Sequence, residues 1–320
     1  MRPRFTEARG ADGRLRVLGI ALALACARCA TAEVPHAAPR EPIDAGLASD
    51  DASPGAPAPA DPDASAPKDD AVAMPETATT GPAGCSALPL CDGFESAAAG
   101  GPPSATLWSI SQPDCTGTGT LTVDGSQAHS GNHSVMVTGG GGYCDHIFIS
   151  NASVIGALGP QVYTRLFVRL GAPLGAGHVT FLAMRDSADM LGDVRSDVRM
   201  GGQDMILMYN RQSDDATLPV MSPTGTGESV ALAADAWTCI ESHFDETAGT
   251  IDTWVDGKQI AGLVENGTPT ADVSTQWLSQ AGWKPVLSDF RLGWESYSGQ
   301  TMTLWFDDVA LAAHRIGCDL

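Results

Sequence analysis

Arginine and aromatic side chains alternate with apolar ones along residues 163–170. Successive side chains of an extended strand point to opposite faces, so one face of this stretch carries Tyr163, Arg165, Phe167 and Arg169. A guanidinium group binds a carboxylate through two parallel hydrogen bonds, and an aromatic ring offers a flat apolar surface to a sugar ring. The stretch therefore predicts part of a ligand-binding face. The alternative is that these arginines pair with the chain's abundant acids on a solvated surface.

Two later stretches repeat the polar alternation. Arg199, Gln203 and Tyr209 are in register on one predicted strand, and Arg291 and Glu295 lie together on another. If these faces belong to one sheet, they form a single groove with the 163–170 stretch. We expect that groove to bind substrate.

His178 heads another strand-like run and is a candidate general base. Removal of a proton next to a carboxylate needs a base and a group that neutralises the carboxylate. We predict that His178, together with Gln203 and Tyr209, supplies these catalytic groups. A single histidine is more often a hydrogen-bonded structural side chain, and that alternative stays open.

Sharper motifs are missing from the sequence. It has no Gly-x-Ser-x-Gly elbow, no phosphate loop and no zinc-spaced set of Cys or His. The Glu-x-Asp-x-x-Glu motif of laminarinase-like glycoside hydrolases is also absent. A formal net charge of −20 excludes a nucleic-acid partner, because such binding needs a basic surface.

The elements that must position these residues are strands. Residues 235–257 contain two alternating runs joined by a short turn, which is typical of a half-buried antiparallel hairpin. Comparable runs recur between Gly, Pro, Asp and Ser clusters, without a convincing amphipathic helix. The predicted strands are residues 107–111, 118–123, 134–138, 146–150, 163–170, 178–185, 198–209, 238–245, 250–255, 287–294 and 302–311. This pattern predicts an all-β fold, a two-sheet antiparallel β-sandwich or jelly roll.

Three short motifs sharpen this expectation by their order. Cys-Asp-Gly-Phe-Glu at residues 91–95 opens the domain, Ser-Gly-Asn-His-Ser follows at 130–134, and Trp-Phe-Asp-Asp-Val at 305–309 ends it. The order resembles concanavalin-like and polysaccharide-lyase-like jelly rolls, most of all the core domain of the fungal cellulose-induced secreted proteins and their bacterial relatives. The resemblance implies a carbohydrate-handling protein.

Acidic residues at the two ends of the domain are the best metal candidates. Ca²⁺ prefers several hard oxygen ligands, and adjacent first and last strands would bring Glu95, Asp307 and Asp308 towards loop carbonyls near Ser130 and His133. The families resembled hold a structural Ca²⁺ at this meeting point. The alternative is that these acids discourage aggregation at a strand edge.

The N-terminal region predicts export. An arginine-rich segment precedes an apolar run at residues 17–27, too short to span a bilayer. Cleavage after Ala32 gives a signal peptide of residues 1–32, whereas a lipobox-like sequence before Cys26 would make that cysteine a lipid anchor. Residues 33–84, rich in Ala, Pro and Asp, form a disordered spacer, and the jelly-roll domain occupies residues 85–320. We expect an extracellular or surface-held monomer.

Cleavage after Ala32 leaves six cysteines, an even number suited to an oxidising compartment. Six cysteines allow fifteen pairings. Proximity favours Cys85–Cys91, and Cys115 and Cys144 bracket one hairpin-rich segment. Cys239–Cys318 would then be the third pair.

Two functions remain open. The first is a protein that binds, and cleaves by β-elimination, an acidic or plant-type polysaccharide. The second is a noncatalytic structural or adhesive surface module; noncatalytic sugar binding lies between them. Convergence of Arg165, Arg169, Gln203 and Arg291 in one open cleft would favour the first, and dispersal would favour the second.

Overall fold

The computed structural model describes residues 87–319, which form two antiparallel sheets. The strands are β1 (Leu90–Asp92), β2 (Ser109–Ser111), β3 (Thr120–Asp124), β4 (Ser134–Gly139), β5 (Ile147–Asn151), β6 (Gln161–Leu170), β7 (Val179–Leu191), β8 (Val194–Gln203), β9 (Ile206–Arg211), β10 (Ala216–Leu218), β11 (Trp237–Asp245), β12 (Thr250–Val255), β13 (Lys258–Gln259), β14 (Phe290–Ser296) and β15 (Met302–Ala312). One short helix, α1, covers Pro223–Gly227. The predicted signal peptide, the spacer and Cys85 lie outside the described residues.

Sheet A has the strand order β13-β12-β11-β6-β15-β4-β3, with β1 pairing along the second half of β15. Sheet B has the order β10-β9-β8-β7-β14-β5-β2. All these strand pairs are antiparallel, so the predicted all-β sandwich is confirmed. No helix within residues 87–319 is long and apolar enough to cross a membrane.

The predicted strand at residues 198–209 is two strands. A turn at Asp204 and Met205, both with positive φ, separates β8 from β9. An Asp is among the residues that adopt this left-handed conformation at modest cost, but nothing in the alternation marks the turn. The error matters because the turn reverses the face to which residues 206–209 point.

The core lies between the two sheets. Leu166 and Val168 of β6 and Met200 of β8 are at most 1 % exposed, and the rings of Phe181 from sheet B and Phe306 from sheet A face each other at 6.5 Å. The Thr164, Leu166 and Val168 face of β6 thus packs inwards, as its alternation predicts.

Tyr209 lies in this core and not beside Arg199. It pairs with Met200 across β8 and β9, whereas Arg199 pairs with Asn210. The fully buried phenol donates a hydrogen bond to Ser242 Oγ at 2.7 Å and lies 2.9 Å from Thr253 Oγ1 in sheet A. The prediction that Tyr209 shares a catalytic face with Arg199 is therefore wrong; the phenol links the two sheets.

Two predicted disulfides are confirmed. Cys115 bonds to Cys144 and Cys239 bonds to Cys318. The second joins β11 to the segment after β15, which closes a long loop and so restricts the unfolded chain. Cys91 is itself disulfide-bonded, and its predicted partner, Cys85, lies outside the described residues.

The buried phenol gives a first prediction. Tyr209→Phe is expected to lower the free energy of unfolding by about 1–2 kcal/mol, because the buried hydroxyls of Ser242 and Thr253 lose a partner. Urea unfolding measures the loss. A variant that unfolds at the same urea concentration as wild type would contradict this role of the phenol.

Candidate functional site

The outer face of sheet B carries charged residues from β8 and from β14, the two strands that flank β7. Arg199 points outwards from β8, because its neighbours Val198 and Met200 lie in the core. By the same alternation Arg291 and Glu295 point outwards from β14. Three predicted substrate-binding residues are thereby brought to one face.

Six side chains meet at one end of this face, and we call them the histidine–tyrosine cluster. They are Tyr143, His146, His178, Arg199, Glu295 and Tyr297. The ring of His178 stacks on Tyr297 with centroids 5.1 Å apart, and the ring of Tyr143 lies 5.4 Å from Tyr297. Tyr143 also meets His146 edge-on at 5.0 Å. Strands β8 and β14 and the ends of neighbouring strands therefore build one site.

Glu295 is the common partner of this cluster. Its Oε1 accepts a 2.6 Å hydrogen bond from the Tyr297 hydroxyl and lies 3.7 Å from Arg199 Nη2. Its Oε2 lies 3.4 Å from His146 Nδ1. Glu295 is 4 % exposed and His146 is fully buried. A buried carboxylate needs such partners to offset its lost hydration, so Glu295 fixes the positions of the groups around it.

The environment sets the protonation of the cluster. Burial and, next, the charge of Arg199 lower the pKa of His178 to about 4. Burial raises the pKa of Tyr297, and burial together with a hydrogen bond to Asp114 raises the pKa of Tyr143. At neutral pH His178 is an uncharged hydrogen-bond acceptor and both phenols keep their protons. His178 is therefore a proton acceptor, a weak one because of its low pKa, and neither phenol loses its proton readily.

Two other arginines near this face, Arg185 and Arg291, are already paired with carboxylates. Arg291 Nη2 lies 2.7 Å from Asp197 Oδ1, and its Nε lies 3.2 Å from Asp289. Arg185 Nε lies 2.5 Å from the same Asp197 oxygen. These pairs agree with the alternative in which arginines neutralise acids. The Arg291 guanidinium is thus occupied by these two carboxylates.

Arg199 differs from these arginines. Its charged contact is the 3.7 Å approach to Glu295, and its guanidinium lies over the ring of Tyr297 at 5.3 Å. Among residues 87–319, no hydrogen bond from this guanidinium is found. Arg199 therefore has donors left for a ligand carboxylate.

The 163–170 stripe lies on the opposite outer face, that of sheet A. Arg165 is 3 % exposed and donates from Nε and Nη2 to the Asp308 carbonyl oxygen at 3.2 and 3.1 Å. Arg169 pairs with Asp235, and Tyr163 stacks on His243 at 4.1 Å. Because the core separates these residues from Arg199 and Arg291, the single groove predicted from the sequence does not form.

Three members of the cluster escaped the sequence analysis. Tyr297 continues the outward alternation of Arg291, Gly293 and Glu295, so extending the predicted strand 287–294 by three residues would have included it. Tyr143 and His146 belong to a 3-10 turn and the residue that follows it, and no periodicity marks them. Gln203, the other predicted catalytic residue, ends β8 on the Arg199 face and is half-buried.

The acidic residues proposed for a metal meet at one loop, residues 129–133. Asp307 Oδ2 accepts the backbone N–H groups of His129 and Ser130 at 2.7 and 3.2 Å. Asp308 accepts from the Ser130 hydroxyl and lies 2.7 Å from His129 Nδ1. On the other side of the loop, Glu95 accepts the N–H of Asn132 and His133 at 2.7 and 2.8 Å. We call Glu95, Asp307, Asp308 and this loop the acidic junction.

The junction buries negative charge. Asp307 and Asp308 are at most 2 % exposed. Burial and the neighbouring Asp308 raise the pKa of Asp307 to about 7. Asp308 also has a positive φ of 47° at a bulge in β15, which is an uncommon backbone state for a residue other than glycine. Within residues 87–319, no three His, Cys, Asp or Glu side chains are grouped so as to hold a metal ion.

The two antiparallel sheets and the match to a family model place the chain in the polysaccharide-lyase-like class. The family model for the Cip1-like core domain matches residues 93–314. The solved structure of the cellulose-induced protein Cip1 is 41% identical, with a TM-score of 0.64, and the match covers 72% of this chain and 99% of that one. The chain belongs to the Cip1-like family, and the resemblance predicted from its motifs is confirmed.

More distant structures share less. An endo-β-1,4-glucuronan lyase from the fungus Trichoderma reesei is 15% identical, with 66% of this chain and 92% of that one covered and a TM-score of 0.45. The CBM22-1 xylan-binding domain from Paenibacillus barcinonensis Xyn10C is 15% identical, covers 70% of this chain and 93% of its own, and has a TM-score of 0.34. No curated protein matches the chain.

The placement of the two sheet A arginines gives a second prediction. Arg165→Ala is expected to lower the free energy of unfolding by about 1–3 kcal/mol, because the buried Asp308 carbonyl loses its donors. The matched change Arg169→Ala, at a partly exposed ion pair, should cost about 1 kcal/mol or less. Urea unfolding compares the two, and equal small losses would contradict the buried role of Arg165.

The lowered pKa of His178 makes stability depend on pH. A histidine in the unfolded chain has a pKa of about 6.5, so between about pH 4 and that value the unfolded state binds the extra proton. The His178 contribution to the free energy of unfolding then rises with pH across this window and gains nothing more above it, whereas the raised pKa of Asp307 contributes in the opposite direction. His178→Asn is expected to flatten the rise. Unfolding measured at both ends of the window tests this, and an equally steep rise in the variant would refute it.

Proposed function

We propose that this protein is an exported, carbohydrate-active protein that binds a uronate-containing polysaccharide at the histidine–tyrosine cluster and cleaves it by β-elimination. Membership of the Cip1-like, polysaccharide-lyase-like family supports the carbohydrate class. The two disulfides are compatible with an extracellular location. The observation that carries the reaction is the neutral His178 beside Arg199 and Tyr297.

β-Elimination has three chemical requirements. A base removes the proton on the carbon next to the uronate carboxylate, the electron pair forms a carbon–carbon double bond, and the bond from the next carbon to the glycosidic oxygen breaks. The carboxylate must be neutralised while negative charge builds up on it, and the leaving oxygen must receive a proton. No water is consumed in these steps.

The cluster has one residue for each requirement. Arg199 offers unused donors for the carboxylate, and His178 is unprotonated at neutral pH. Tyr297, which is 44 % exposed and stacks on His178, would donate its proton to the leaving oxygen after its hydroxyl turns away from Glu295. Gln203, further along the Arg199 face, is a second group for the carboxylate. Tyr209 has no role here because it is buried in the core.

Noncatalytic sugar binding is the second candidate. It is favoured by the same low pKa of His178, because a group with a pKa near 4 is a weak base at neutral pH. Stacked rings of His178 and Tyr297 would still bind a sugar without breaking a bond. Binding of a polymer without any new double bond would favour this candidate.

The activity has a direct test. Uronate-containing polymers are incubated with the protein, and the ultraviolet absorbance of the unsaturated product is followed. His178→Ala is expected to lower the rate by about 10²-fold or more. Arg199→Lys should also be strongly impaired, because lysine lacks the planar fork. Arg169→Ala, on the opposite face, is the matched control and should keep full activity; loss of activity there but not in the first two variants would reject this site.

We also propose that the acidic junction binds a structural Ca²⁺. The buried neighbours Asp307 and Asp308 have no Lys or Arg side chain within ion-pair distance among residues 87–319, and a divalent cation would offset their charge. Asp307 and Asp308 supply carboxylate oxygens of the kind that Ca²⁺ prefers, and the Ser130 hydroxyl lies beside them. Glu95, on the other side of the 129–133 loop, would have to turn towards them to bind the same ion. Its role would be to tie β1 and β15 to that loop.

Calcium should therefore stabilise the native state by mass action. At a free concentration of about 100 times Kd, the free energy of unfolding is expected to rise by about 2.7 kcal/mol. The melting temperature is compared in excess Ca²⁺ and in chelator, for wild type and for Asp308→Asn as the control. Identical melting temperatures of the wild type in the two solutions would refute the metal site.

A further inference from the structure

Residues 112–118, which we call the clip, precede β3 and pack on the turn that carries Tyr143. Cys115 is bonded to Cys144, and Thr118 donates from its backbone N–H and its hydroxyl to Asp145 Oδ1 at 2.9 and 2.8 Å. At Gly117 the approach is so close that a Cβ would lie 2.2 Å from the Cys144 carbonyl oxygen. The clip is therefore fastened to the turn by covalent, hydrogen-bonded and steric contacts.

The clip also reaches the cluster itself. The Tyr143 hydroxyl donates a 2.9 Å hydrogen bond to Asp114 Oδ2, and Gln112 Nε2 donates to the His146 carbonyl oxygen at 3.3 Å. Tyr143 and His146 are the two cluster residues whose turn belongs to no sheet. The contacts from the clip therefore hold Tyr143 and His146 in place, which strand pairing does not do.

Asp114 is held in position by its neighbours in the chain. Its φ is +67°, in the left-handed region, which Asp adopts at modest cost. The following residue is the disulfide-bonded Cys115, whose N–H donates to the Pro113 carbonyl at 2.8 Å. This turn and the disulfide thus keep the Asp114 carboxylate directed at the Tyr143 hydroxyl.

We propose that Asp114, anchored by the Cys115–Cys144 disulfide, is a positioning residue that holds Tyr143 in the glycan site. Through Tyr143 it keeps the ring contacts to Tyr297 and His146 that shape the cluster. The inference rests on the proposed function for its effect on glycan binding. The arrangement of the rings is a property of the free protein and has its own test.

A purely structural clip would act differently. Asp114 and Cys144 are exposed, and the clip belongs to neither sheet, so its loss opens no cavity in the core. We therefore expect the Asp114→Ala variant to melt close to wild type. Its defect should appear at Tyr143 and in ligand binding, not in global stability.

The binding arm uses a uronate oligosaccharide and isothermal titration. Asp114→Ala and the double variant Cys115→Ser/Cys144→Ser are expected to weaken binding about tenfold, the worth of a charge-assisted hydrogen bond. Asp114→Asn retains an acceptor oxygen for the phenol and should restore most of the affinity. Cys239→Ser/Cys318→Ser, which opens the disulfide on the other face, is the matched control and should bind as wild type.

A double-mutant cycle separates positioning from an independent contact. If Asp114 acts through Tyr143, Tyr143→Phe should weaken binding by itself, and adding Asp114→Ala should weaken it no further. Additive losses would overturn the proposal, as would unchanged affinity in Asp114→Ala.

The ligand-free arm uses NMR signals of the tyrosine and histidine rings. Asp114→Ala should shift the Tyr143, Tyr297 and His146 signals, whereas Asp114→Asn and the Cys239/Cys318 control should leave them near their wild-type positions. Unchanged signals in Asp114→Ala would overturn the positioning role. A wild type that binds no glycan at all would instead reject the proposed function, and the ring signals would still decide whether Asp114 positions Tyr143.

Discussion

A side chain on a β-strand points to one of the two faces of its sheet, and the packing of sheet A on sheet B determines which face that is. Leu166 and Met200 must face the core, so their neighbours Arg165 and Arg199 must face outwards, on opposite sides of the sandwich. The outward placement of these two arginines on opposite sheets follows from this constraint. A slip of one residue in either strand would bury a guanidinium in the core and expose an apolar side chain.

The buried carboxylates of the two outer faces differ in the groups that surround them. On sheet B, Glu295 is surrounded by a guanidinium, an imidazole and a phenol, which together offset its lost hydration. On sheet A, Asp307 and Asp308 receive mainly backbone N–H groups, a hydroxyl and a histidine. The first arrangement suits proton transfer, while the second leaves negative charge that a cation can offset.

Alternation predicted much of this fold from the sequence. It identified the inward face of β6 and the outward placement of Arg291 and Glu295, because both follow from a period of two. It failed at Tyr209, because a turn at Asp204 and Met205 divides the predicted strand 198–209 into two strands. Registers across a turn cannot be read from periodicity, since each turn resets the face on which the next strand begins.

The prediction of a single groove was wrong for a different reason. Alternation assigns a residue to one of two faces of its own strand, but it does not say which sheet that strand joins. β6 and β8 have similar outward stripes, yet they belong to different sheets. Tyr143 and His146 were missed because a turn next to a disulfide carries no period at all. Pairing between distant parts of the chain determines both the sheet that a strand joins and the place of such a turn. No local pattern in the sequence encodes this pairing.

The geometry of Glu295 depends on irregularities in the sheet that alternation does not describe. Glu295 pairs with Thr180 and Thr180 with Gly201, next to register shifts on both sides of β7. At Gly201 a Cβ would lie 1.9 Å from the Val179 carbonyl oxygen, and at Gly293 it would lie 2.0 Å from that of Ile147. Only glycine permits backbones to approach so closely. Bulges re-aim side chains next to functional sites, and here two of them adjoin the carboxylate around which the cluster is built.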